Sequence, residues 1–126
     1  MERLFFAAGA LSAFIAVAAG AFGAHALKHQ LAPDMLAVFE IGVRYQMYHA
    51  IALLCVSLAC AKWPGKLMAA GGWLFITGTV FFSGSLYQLS LTGMKSLGII
   101  TPIGGGIWLA GWVCVAIGAL KYRKAG

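Results

Sequence analysis

The sequence predicts an all-α fold: an integral membrane four-helix bundle in one domain, residues 1–126, with both termini cytoplasmic. Three observations lead there. The chain is 62% hydrophobic and only 10% charged, with a mean hydropathy of +0.91, whereas soluble domains run about 25% charged. A soluble chain this short keeps too large a surface for its volume to hide so much apolar area. Long uncharged runs recur along it, and Lys and Arg gather at the ends of those runs.

A membrane span needs about 20 apolar residues. Leu4 to Ala24 supplies 21 and predicts helix 1 over 4–25. Ala24-His25-Ala26 has the look of a cleavage site, but this run exceeds the 7–15 residues of a typical signal core and reads as a retained span. Tyr45 to Ala61 supplies 17 residues, long enough only if helix 2 also uses the polar stretch before it, over 36–61. Pro33 and Asp34 suit its first turn, one by fixed φ and the other by charge at the positive end of the dipole. W-P-G-K at 63–66 is a tight turn. Leu67 to Met94 supplies 28 residues for helix 3 over 67–92, and Ser96 to Leu120 supplies 25 for helix 4 over 97–120.

Orientation follows from the positive-inside rule. Arg3, Lys62, Lys66, Lys121, Arg123 and Lys124 share one side against Lys28 and Lys95 on the other, six against two, with Arg44 inside a helix. The six mark the cytoplasm. The net charge of +6 is spread in ones and twos with no basic face, so it reads as topology and lipid-headgroup contact and not as nucleic-acid binding. Cys55, Cys60 and Cys114 lie in apolar runs without C-x-x-C spacing, so they read as buried small hydrophobes, and no metal site or disulfide framework is expected.

The polar residues of the spans converge on one leaflet. Helix 1 ends outside at His25, and helix 2 starts outside with Glu40, Arg44, Tyr45, Gln46, Tyr48 and His49. Helix 3 brings Ser83, Ser85 and Tyr87 to the same depth, and helix 4 brings Thr101 and Pro102. At 100° per residue, Glu40, Arg44 and Tyr48 share a stripe. Glu40 and Arg44 form an i,i+4 pair expected to sit inside the bundle, while Gln46 points elsewhere and needs its own partner. Small residues also repeat: Ala8, Ser12, Ala16, Gly20 and Ala24 on helix 1, and Gly106, Ala110, Cys114 and Gly118 on helix 4. Small-xxx-small stripes let membrane helices pack closely.

The motifs G-A-F-G-A-H-A (20–26), Y-Q-M-Y-H (45–49), F-S-G-S-L-Y (82–87), T-P-I-G-G (101–105) and A-G-W (110–112) occur in that order. In them the chain resembles the domain-of-unknown-function 423 family, small bacterial inner-membrane proteins with relatives among small eukaryotic membrane proteins. The resemblance implies four membrane helices, a plasma-membrane location and no established activity.

The polar cluster is the feature on which function turns. It reads either as a structural clamp or as a ligand or proton site, because ionisable groups in a span are costly and by default functional. No nucleophile–base–orienter set or phosphate loop stands out, so no enzyme is expected; Ser83 with His49 is the one pair to consider. Haem ligation by His25 and His49 is disfavoured by a depth mismatch of about 10 Å or more, and no cofactor is expected. Two readings remain. One is an accessory or scaffold protein that forms a homo-oligomer or docks as a subunit on a larger membrane complex, with membrane lipids around it. The other is a small oligomeric transporter or channel that binds a polar or anionic solute with Arg44 as anchor.

Overall fold

Four helices run through a computed structural model that describes residues 1–124: Glu2–His25 (α1), Pro33–Lys62 (α2), Lys66–Thr92 (α3) and Ile100–Lys121 (α4). Each is long and apolar enough to cross a bilayer; the 24 residues of α1 rise about 36 Å. α2 starts three residues earlier than the apolar pattern suggests because Pro33 takes the first helical turn. It then continues past Gly42 to Lys62 as one helix. α3 stops at Gly93, whose φ of 73° puts it in the left-handed region that a residue with a Cβ enters only at a cost. Helix 4 was expected from residue 97, but Lys95–Ile99 forms a 3₁₀ turn and the α-helix begins at Ile100. Such turns often tighten helix ends.

The principal contacts run α1 with α2, α2 with α3 and α3 with α4. α2 and α3 form the middle of the bundle, and α1 and α4 flank them with far less of their surface covered. Phe14, Leu58, Val80 and Leu109 project outward, as lipid-facing side chains should. The core packs Phe5, Leu53, Val56, Met68, Phe75 and Trp108. Met1 and Glu2 lie beside Cys60 and the Pro64–Gly65 turn, and that turn lies beside Gly118 and Lys121. The beginning of α1, the α2–α3 turn and the end of α4 therefore share one end of the bundle.

Close packing follows glycines that differ in part from the expected stripes. On α1, Gly9, Ala16 and Gly23 are buried, while Ala24 is exposed. A Cβ on Gly9 would lie 2.8 Å from the Ala50 carbonyl oxygen, and one on Gly23 would lie 2.9 Å from the Phe39 ring. Gly20 is looser, since a Cβ there would lie 3.3 Å from the Val43 side chain, and Ser12 keeps a place on the contact. On α4, Gly106 and Ala110 face outward; the buried positions are Gly104, Trp108 and Gly111, and a Cβ on Gly118 would lie 3.0 Å from the Met68 backbone nitrogen. The reason is rotation. A four-residue step over-rotates by about 40°, whereas seven residues return within about 20°.

Candidate functional site

Gln46 joins three helices near mid-depth. Its amide NH2 donates to the Ser12 hydroxyl at 3.1 Å and to the Ser12 carbonyl at 3.2 Å on α1. Its amide oxygen accepts from the Tyr87 hydroxyl on α3 at 2.5 Å. Beside it, Ser83 donates to the Gly42 carbonyl at 2.8 Å, and Tyr87 rests where a Gly42 side chain would be. Between α3 and α4, the Ser85 and Thr101 hydroxyls bond at 2.6 Å. Ser57 donates to the Glu2 carbonyl at 2.6 Å near the other end. These groups form a seam of short helix-to-helix bonds, and among the described residues no buried side-chain nitrogen or oxygen lacks a partner.

His49 occupies an aromatic box between α2, α3 and α4. Its ring stacks on Trp108 at 3.8 Å and 3°, with Phe75 edge-on at 5.4 Å. The Trp112 indole N–H donates to Nε2 at 3.1 Å, so Nε2 carries the lone pair. Nδ1 then holds the proton and donates to the Tyr45 carbonyl at 2.8 Å. The two bonds define one neutral tautomer and occupy both ring nitrogens. Trp108 donates its own N–H to the Phe75 carbonyl at 3.1 Å, and a Cβ on Gly78 would collide with its ring. Tyr45 continues the stack, half out of the bundle, against Phe82 and Tyr48.

On either side of Trp112 the furrow between α2 and α4 widens into a cavity. One, of about 500 Å³, is bounded by Tyr45, His49, Phe82, Pro102 and Gly106. The other, of about 410 Å³, is bounded by Tyr48, Cys55, Val56 and Trp63. Both are lined almost wholly by apolar groups.

Arg44 and Glu40 correct the sequence expectation. Both are exposed on the outer face of α2, and among the described residues no ion pair joins them and no hydrogen bond holds Arg44 inside the bundle. Arg44 lies two positions before the buried Gln46, which places them about 160° apart around the helix. Tyr48 shares the outward face, and His25 lies exposed at the end of α1, remote from the seam. Cys55 also corrects its expected burial by facing outward, while Cys60 is buried and Cys114 half-buried. Ser83, bonded to Gly42, does not engage His49. Among the described residues no group of three His, Cys, Asp or Glu side chains could hold a metal ion.

The partners of His49 were missed in the sequence. The available signal was depth: Trp108 and Trp112 stand well inside a span and not at its rim, where an indole N–H must find an acceptor within the protein.

Four antiparallel apolar helices, tied by an internal polar seam, define a small multi-pass membrane protein. The family described as "Protein of unknown function (DUF423)" matches residues 19–105, and the chain belongs to it. It is 45% identical over 120 residues to a UPF0382 membrane protein of Staphylococcus aureus, covering 95% of this chain and 98% of the relative. It is 42% identical over 121 residues to the UPF0382 membrane protein YwdK of Bacillus subtilis, covering 95% and 98%. No solved structure matches the chain. The relatives' names state a membrane location and no activity.

Proposed function

We infer that this protein is a non-enzymatic accessory or scaffold component of a bacterial inner membrane, which oligomerises or docks on a larger membrane complex. One observation carries the reading: the interior polar groups bond to one another or to backbone carbonyls, while the charged residues within α2 face outward. A polar interior that is already paired holds helices in register. Charged groups on the lipid side have no such partner and favour an association that supplies one. The alternative, a transporter that binds a polar solute at an internal Arg44, draws no support from this arrangement.

Both termini belong in the cytoplasm on this reading, since Arg3, Lys62, Lys66, Lys121, Arg123 and Lys124 gather at one end of the bundle against Lys28 and Lys95 at the other. A reporter fused to the C-terminus is expected to be active only inside the cell. Native mass spectrometry of the protein released from membranes in mild detergent tests the assembly reading. The expected result is an oligomer or a defined complex; a bare monomer at every detergent concentration would overturn it.

A further inference from the structure

The most conspicuous unmet demand in the molecule is on the outer face of α2. Arg44 is the twelfth residue of that helix, about 16 Å from its start, and projects away from the bundle. Arg keeps its charge, and its five donors have no acceptor in lipid. Of the nine Lys and Arg and three Asp and Glu in the sequence, only Arg44 and Glu40 lie within a helix away from its terminal turns. Both are exposed, one turn apart on the same stripe. Below them the stripe continues through Tyr48, Ile51, Cys55 and Leu58, all exposed and mostly apolar.

We propose that this face is the contact with a second copy of the chain, in which Arg44 of each copy pairs with Glu40 of the other. The proposal rests on the assembly reading above and names its partner. Charge complementarity selects a second copy. A two-fold contact requires a self-complementary patch, in which residue i meets j and j meets i. A stripe holding one acid and one base, net neutral, satisfies this with itself. A two-fold axis along the membrane normal keeps both copies in the same orientation and sets the two α2 helices side by side at equal depth. Glu40 of one copy then stands one turn, about 6 Å, above Arg44 of the other, within reach of a guanidinium. The four charges close a neutral ring in place of two lipid-exposed ion sites. Ile51, Cys55 and Leu58 continue the contact below.

Two charge variants test it. Glu40→Arg leaves two bases on the stripe, and Arg44→Glu leaves two acids. Neither can form the ring with itself, but each complements the other. The two are expressed with different tags, alone and together, in chains that keep Cys55 and carry Cys60→Ala and Cys114→Ala. A short membrane-permeant thiol–thiol crosslinker is applied to the membranes. The unmodified stripe is expected to give a Cys55–Cys55 dimer, each variant alone about tenfold less or lower, and the mixture a dimer carrying both tags. Rescue in the mixture shows that both variants fold, and neither retains an i,i+4 pair of its own to account for it. The proposal is overturned if the single variants crosslink as well as the original, or if the mixture yields no mixed dimer. Crosslinking of Cys55 to a different protein overturns the second copy as partner and leaves the assembly reading standing. No adduct, together with a monomer in native mass spectrometry, overturns both.

Discussion

Gln46 and Arg44 stand two residues apart on α2 and meet opposite surroundings. Gln46 is buried and shares its amide among Ser12 and Tyr87, tying three helices together. Arg44 is exposed and, among the described residues, makes no bond within the bundle. A polar side chain with one donor group and one acceptor group can be satisfied by two neighbouring helices. A guanidinium with five donors asks for more acceptors than the Ser, Thr and Tyr of this interior have left. Inside, the hydroxyls and the amide are already matched to one another or to backbone carbonyls, so a buried Arg44 would leave donors unpaired or take acceptors from the seam. Hydrogen-bond capacity, not polarity as such, separates the two faces of α2.

That contrast can be broken most severely at the aromatic box. Trp108→Ala empties the ring stacked on His49 and frees the Phe75 carbonyl. A loss of about 3–5 kcal/mol is expected, as for other buried Trp truncations, read as an early unfolding transition in detergent. A smaller effect separates two glycines of α4. A side chain on Gly104 would collide with the Phe82 backbone, whereas Gly106 has nothing within 4 Å. Gly104→Leu is expected to cost about 1–3 kcal/mol, and Gly106→Leu less than about 0.5 kcal/mol. Equal costs in thermal scans would show that Gly104 does not lie on the inner face of α4.

Gln46→Leu strips the seam of its hub and leaves the half-buried Tyr87 hydroxyl without its acceptor. Its expected cost is about 1–2 kcal/mol, since membrane hydrogen bonds are individually modest but orphaned groups are not. Arg44→Met sharpens the comparison from the other side. It is expected to change the unfolding of the isolated bundle by less than about 0.5 kcal/mol and to show itself only in assembly. If Arg44→Met destabilised the detergent-solubilised monomer as much as Gln46→Leu, the two faces of α2 would not differ in hydrogen-bond capacity.

The helix bounds were readable to within a few residues because apolar run length and the Pro33 signal are local properties. Gln46 was readable as a residue in need of a partner, and Ser83, Ser85, Tyr87 and Thr101 as groups at the right depth to bond. Which of them would meet was not readable. Depth fixes a level along the helix axis and leaves the rotation open, so Arg44 and Gln46 were equally eligible for the interior. His49 could be flagged, but its acceptors and donors lie 63 residues away at Trp112 and on its own helix at Tyr45.

By itself, the sequence determined the solvent, the number of spans and the depth of each polar group, because composition, run length and charge position need no knowledge of neighbours. Tertiary structure decided which way each helix turned. It placed Gly9, Gly23 and Gly104 at the close contacts, matched Gln46 to Ser12 and Tyr87, seated His49 between two tryptophans and left Arg44 outside. In lipid both faces of a helix are apolar enough to face either way. The rotation is then set by where glycines admit a neighbour and where donors find acceptors, and both are properties of pairs of helices.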